Sequence, residues 1–85
     1  MNTVSQNLPN PFHGSTTIDV NLAKTSTLSI DVFNTMGAKV LTLNKGLVNT
    51  GAHQYVIDAS NFTAGIYFYS VKINNETISR KMIVE

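Results

Sequence analysis

From Thr16 onward, apolar and polar residues alternate along most of the chain, and a period of two places successive side chains on opposite faces of an extended strand. Ile18, Val20 and Leu22 fall on one side and Thr17, Asp19 and Asn21 on the other, the pattern of a half-buried strand. Ala23-Lys24-Thr25-Ser26 reads as a turn. Leu28, Ile30 and Val32 then alternate with Ser29, Asp31 and Phe33, which predicts a second strand whose outer face carries one large aromatic in need of a covering neighbour. Asn34-Thr35-Met36-Gly37 begins with a turn former and ends with a glycine able to adopt positive φ, so a tight hairpin is expected, leading into a strand over Val40–Leu43. Lys45–Gly51 reads as a longer loop or a short edge segment. A further strand is expected over His53–Asp58, where Tyr55 and Ile57 oppose Val56 and leave the inward face undecided. Ile66–Ile73 is the most apolar segment, with apolar residues at every odd position, and is expected at the centre of a sheet. Asn74-Asn75 is a turn dipeptide, so Glu76–Val84 returns antiparallel. In that last strand Arg80 shares a face with Ile78, Met82 and Val84, and Lys81 precedes Ile83 on the other, a mismatch that a bulge or an edge position would reconcile.

Ahead of Thr16 the chain is polar and turn-rich. Pro9 and Pro11 each hold φ near about −65° and push the residue before them toward extended geometry, which predicts a stiff extended lead-in and no helix. No segment sustains helical spacing of apolar residues. The expected fold is all-β: a small antiparallel Ig-like β-sandwich of about six or seven strands, Greek-key-like and without helices, although a small barrel fits the same pattern. Residues 1–14 are read as a linker remnant and Pro-containing lead-in, and residues 15–85 as the sandwich. Met1 directly before a polar stretch fits a domain cut from a longer protein.

Composition narrows the function. With 85 residues, 42% hydrophobic and 13% charged, the chain suits one ordered domain of modest stability. Six Lys and Arg against five Asp and Glu leave a net charge of +1, too weak and scattered for a nucleic-acid binder. There is no cysteine, hence no disulfide, thiolate metal site or cysteine nucleophile. No apolar run approaches the roughly 18 residues that span a bilayer, and the N-terminus lacks a leader pattern, so no membrane insertion is expected.

Candidate chemistry is sparse. His13 and His53 each lack a second ligand at metal-binding spacing, and His53 at a strand start reads as a hydrogen-bonded structural histidine. No serine lies in a nucleophile elbow. Asp19, Asp31 and Asp58 lie on strands or at a strand end, where polar outer faces ordinarily carry such residues. The five glycines are spread one per connection rather than gathered in a phosphate loop. Asn61-Phe62-Thr63 and Asn75-Glu76-Thr77 match the Asn-glycosylation pattern, which arises often by chance. Tyr55, Tyr67 and Tyr69, without interleaved basic residues, read as packing residues rather than a base-stacking platform. The expectation is a non-enzymatic domain without cofactor or metal.

Several phrases carry a resemblance when taken in order: Ser5-Gln6-Asn7-Leu8-Pro9-Asn10-Pro11-Phe12, Ser15-Thr16-Thr17-Ile18, Val32-Phe33-Asn34-Thr35-Met36-Gly37-Ala38-Lys39-Val40, Gly51-Ala52-His53, Asp58–Tyr67, and Arg80-Lys81-Met82-Ile83-Val84. Together, over residues 5–85, they resemble the type A C-terminal sorting domain of the type IX (Por) secretion system of Bacteroidetes. The resemblance implies the last domain of a larger exported protein, carried through the periplasm and recognised by the type IX outer-membrane translocon, which moves an N-terminal passenger to the cell surface or medium. It also implies a sortase-like cysteine peptidase that removes the domain, often joining the passenger to a lipopolysaccharide. Pro9, Asn10, Pro11 and Phe12 fall on the family's opening motif, Gly37 on its hairpin glycine, Gly65 and Tyr67 on its Gly-x-Tyr motif, and Lys81 on its late lysine. Most of these positions suit folding as well as recognition: Phe12 as a plug on a sheet edge, the glycines for backbone geometry, Tyr67 in the core. Lys81, Met82, Ile83, Val84 and Glu85 are the candidate translocon contacts, through strand addition at an open edge.

Two departures stand out: Asn34-Thr35-Met36 in place of the commoner Asp-x-Leu type of hairpin, and a final Glu85 where a basic or apolar residue is usual. The alternative reading is an accessory Ig-like module holding its parent on a carbohydrate or protein ligand through Phe33 or Phe68. A homodimer through edge strands is compatible with either.

Overall fold

The computed structural model describes all residues, Met1–Glu85. It is all-β, with seven strands: β1 (Thr3–Val4), β2 (Ser15–Leu22), β3 (Ser26–Asn34), β4 (Lys39–Val48), β5 (Gly51–Asp58), β6 (Gly65–Ile73) and β7 (Glu76–Val84). They form a three-stranded sheet in the order β1-β2-β5 and a four-stranded sheet in the order β4-β3-β6-β7, antiparallel throughout. The chain therefore changes sheet between β2 and β3, between β4 and β5, and between β5 and β6.

The alternation read from the sequence decides which side of each strand is dry. Ile18, Val20 and Leu22 of β2 meet Leu28, Ile30 and Val32 of β3, Ile57 of β5, and Tyr69, Val71 and Ile73 of β6 in one continuous core. Burying an aliphatic or aromatic side chain of this kind stabilises the fold by about 1.5–3 kcal/mol each, set against the conformational entropy of the ordered chain. The undecided face of β5 resolves with Ile57 buried, Tyr55 packed against the core, and Val56 outside at 59% exposure. β6 is central, as its composition requires. β7 lies at the sheet edge and keeps a continuous register with β6, so its mixed pattern is accommodated by edge placement without a bulge between the two.

Two local readings need adjusting. Of the alternatives for Lys45–Gly51, a longer loop or a short edge segment, Lys45–Val48 takes the second: β4, an edge strand, continues through it to Val48. Leu28 faces Gly46 and Ser29 faces Asn44, so Lys45 is an extra residue in a bulge. Gly46 sits there at φ 65°, and the Asn44 side-chain oxygen accepts its N–H at 3.1 Å. The Asn-Lys-Gly triplet carries turn chemistry, and the structure uses it to kink a strand. A second shift, between Val32 and Phe33, leaves Val40 as the extra residue. The missed element is β1, whose Thr3 and Val4 face Asn21 and Val20. Two residues are too few to display a period.

The hairpin at Asn34 follows its sequence. The Asn34 Oδ1 accepts the N–H groups of Met36 and Ala38 at 3.0 Å, and Gly37 takes φ 82°, where a Cβ would be strained. Asn74 closes the β6–β7 turn at φ 53°, and its side chain also takes the Thr27 N–H at 3.0 Å.

Phe12 belongs to the core at 2% exposure, although it precedes the first long strand. Phe12→Ala is expected to cost about 3–5 kcal/mol, out of the roughly 4–13 kcal/mol that a domain of this length holds. Urea unfolding followed by circular dichroism measures it; a loss below about 1 kcal/mol would mean that the core does not depend on this ring.

Candidate functional site

The lead-in segment runs along one sheet and then crosses to the other. Near its start it pairs with β2: the Ser5 N–H donates to the Asp19 carbonyl at 2.9 Å, and Leu8 and Thr17 exchange N–H to carbonyl bonds at 2.9 and 3.0 Å. It then reaches β7. The Phe12 N–H donates to the Ile83 carbonyl at 3.0 Å, the Glu85 N–H donates to the Phe12 carbonyl at 2.8 Å, and Phe12 lies parallel to Val84. Side chains complete the closure: Gln6 Nε2 donates to the Lys81 carbonyl at 2.6 Å, and the Ile83 N–H donates to Asn10 Oδ1 at 2.9 Å. From the β7 side, Arg80 Nε donates to the Val4 carbonyl at 2.9 Å, which explains a charge on the core-facing side of that strand.

Beneath the crossing lies a buried polar knot. Asn7, 1% exposed, donates from Nδ2 to the Pro9 carbonyl and to Thr16 Oγ1, both at 3.1 Å, and the Thr16 hydroxyl donates to the same Pro9 carbonyl at 2.8 Å. Gln6 Nε2 donates to Asn7 Oδ1 at 2.6 Å. No buried side-chain nitrogen or oxygen is left unpartnered in the whole domain, so this knot orients the proline segment without an orphaned group. The Leu8–Pro9 and Asn10–Pro11 peptide bonds are both cis.

The structure brings the sequence-nominated residues to one end of the sandwich. Gly65 faces Val84, Tyr67 faces Met82 on one side and Asn34 on the other, and the Gly37 hairpin shares a surface hollow with Gly65 through Met36. Pro9, Asn10 and Pro11 are exposed beside the end of β7, while Phe12 is inside. Tyr67 is buried against Phe62, ring centroids 5.0 Å apart, and its hydroxyl donates to the Thr63 carbonyl at 2.8 Å. Of the five C-terminal candidates, Met82 and Val84 point into the core; only Lys81, Ile83 and Glu85 present side chains outward.

The backbone edge at that point is also engaged. The Lys81 carbonyl, both backbone groups of Ile83 and the Glu85 N–H all bond to the lead-in or its side chains. Strand addition onto the last residues of β7 therefore requires the lead-in to leave. Sequence reading missed Gln6, Asn7, Thr16 and Arg80 as the groups that hold this closure. Asn7 and its neighbours stood in the family-like phrase, but no local pattern signals a bond between residues at opposite ends of a chain.

The electrostatics are quiet. Burial pushes the Tyr69 phenol above its ordinary 10.0, with a main-chain hydrogen bond near Asn7 and the Arg80 charge pulling the other way; its hydroxyl donates to the Ser5 carbonyl at 2.8 Å. Burial also raises Tyr55. The exposed Asp58 is lowered by hydrogen bonds from the Ser60 main chain and side chain. His53 Nε2 lies 2.7 Å from the Asn49 carbonyl and His13 Nδ1 lies 3.3 Å from that of Glu85, so both rings bond to the backbone. No three His, Asp or Glu side chains gather at a spacing that would hold a metal ion.

Residues 8–85 match the family described as secretion system C-terminal sorting domain. The match includes Pro9–Phe12, both hairpins and the whole of β7. No curated protein matches the chain.

Tyr69 sets an alkaline limit. A phenol whose pKa rises on folding supports the fold while protonated; that support is complete below a pH of about 10 and is lost as pH climbs through the raised value. Tyr69→Phe is expected to lose about 1 kcal/mol at neutral pH, through the Ser5 carbonyl it abandons, yet to decline less than the parent on going to alkaline pH. Urea midpoints at pH 7 and about 10.5 compare the two; an equal alkaline decline would remove Tyr69 from the account.

Proposed function

The chain belongs to the secretion system C-terminal sorting domain family, a type IX secretion signal, and from that premise we propose how it acts. It is a folded, non-catalytic address: the outer-membrane translocon recognises the sandwich and carries an N-terminal passenger outward, after which a sortase-like cysteine peptidase cuts ahead of the lead-in and releases the passenger or transfers it to a surface anchor. The supporting observation is the junction of the lead-in with the last strand, through Phe12, Ile83 and Glu85. A passenger attached ahead of Thr3 and the C-terminal strand would then be parts of one closed unit, read only when the domain is folded.

Within this proposal Pro9, Asn10, Pro11, Phe12, Gly37, Gly65 and Tyr67 shape the recognised end, and Lys81, Ile83 and Glu85 offer it to the translocon. Met82 and Val84 serve through packing. Pairing of two copies would use β4 or β5, the edges that the lead-in does not cover.

The test is localisation. Residues 1–85 are fused behind a signal peptide and a fluorescent passenger and expressed in a type IX-competent bacterium and in a secretion-deficient strain. Fluorescence at the cell surface or in the medium is expected only in the competent strain. Periplasmic retention in both strains would reduce the family membership to a shared fold.

A further inference from the structure

We propose that the outer face of the four-stranded sheet docks on a partner protein whose surface presents apolar side chains edged by carboxylates. This rests on the sorting-signal reading and gives that signal a location. Register across the sheet sets Lys39 of β4, Phe33 of β3, Phe68 of β6 and Lys81 of β7 side by side, one residue from each strand. The neighbouring row, toward the end where the termini meet, pairs Ile66 with Ile83. The rows on the other side are polar: Asp31, Ser70 and Ser79, then Asn44, Ser29, Lys72 and Thr77. Apart from the bulged Val40 and Leu47 at the far end of β4, the apolar side chains of this face are gathered in the two rows.

Phe68 and Ile66 are 40% and 43% exposed, an aromatic and a branched aliphatic held on rigid central-strand backbone with nothing over them. Exposed apolar groups that are contiguous rather than scattered mark interaction surfaces, and an aromatic centre with a charged rim is the arrangement of a binding hot spot. The aromatic that the sequence left in need of a cover, Phe33, receives only the Lys39 ammonium at 6.0 Å and the flank of Phe68.

Charge selects the occupant. Lys39, Lys72 and Lys81 lie on this face against two carboxylates, Asp31, which pairs with Lys39 at 3.6 Å in the only salt bridge of the domain, and Glu85 past the end of β7. Lys81, beside Phe68, has no acidic partner. A surface that covers the aromatic pair must therefore supply carboxylates at its rim. A second copy is disfavoured. Pairing like faces would bring the lysines together, and pairing this face with the acidic outer face of the other sheet, which holds Asp19 and Asp58 and no Lys or Arg, makes a head-to-tail contact that does not close.

Phe68→Thr and Lys81→Glu test the surface in the fluorescent fusion, with Lys24→Glu, at an exposed residue of the β2–β3 turn away from this face, as the control. Export is expected to fall about tenfold for each of the first two, the loss of one hot-spot contact, and to stay unchanged for the third. Thermal unfolding of each purified variant checks its fold; should Phe68→Thr be unstable, Lys81→Glu, at an exposed residue without a side-chain partner, carries the test. Normal export of both ladder variants from a strain that exports the parent would overturn this proposal and leave the sorting signal standing, whereas retention of the parent itself would sink both. Sedimentation and vesicle binding address the occupant. A parent dimer abolished by Phe68→Thr would replace the partner protein with a second copy, and binding to anionic phosphatidylglycerol vesicles lost in Lys81→Glu would replace it with a lipid surface.

Discussion

The backbone junction between Phe12 and the end of β7 is the constraint on which the rest of this domain depends. A sandwich of two short sheets has edges on both sides, and an unpaired edge leaves N–H and carbonyl groups without partners and the core open to water. Here the lead-in pairs with β2, crosses between the sheets through the proline segment and pairs again with β7, closing one side of the sandwich with a few residues. Phe12 drops into the core at the crossing, and Asn7 and Thr16 hold the proline carbonyl from below. The same few bonds join the two ends of the chain.

That closure divides the molecule into regions with different work to do. The interior carries the apolar faces of both sheets and three tyrosine-centred or asparagine-centred polar contacts that fasten loops to strands, Tyr69 to Ser5, Asn7 to Thr16 and Tyr67 to Thr63. The opposite side, at β4 and β5, is left as ordinary sheet edge, with lysines and a glycine bulge along β4. The outer faces differ from each other in charge, and only the larger sheet gathers aromatic surface on its outer side. A domain that works by being recognised needs this sort of asymmetry, because a uniform polar surface offers nothing to distinguish.

The C-terminal strand illustrates why a sequence motif and a recognition surface are not the same set of residues. Alternation sends Met82 and Val84 inward and Lys81 and Ile83 outward, so a contiguous phrase is split between packing and display. The lead-in then occupies the backbone edge that the phrase would otherwise offer. What remains available to a partner is side-chain surface, in register with Phe68 and Ile66 of the neighbouring strand.

The period-two pattern by itself determined the all-β class, the inward faces of β2, β3 and β6, and both asparagine-led hairpins, because those features follow from side-chain alternation and local turn chemistry over a few residues. It failed where local signals are ambiguous or too short. Asn44-Lys45-Gly46 carries the same chemistry in a turn and in a bulge, and Thr3-Val4 is too brief to alternate. The family-like phrases located the residues that matter at the two ends, but not their relation. That Phe12 is core, that Asn10 and Gln6 bond to β7, and that Lys39, Phe33, Phe68 and Lys81 form one row were decided only by tertiary structure. Each depends on strand order and register between segments far apart in the chain, and such pairings are set by the collective burial of the core rather than by any stretch of sequence on its own.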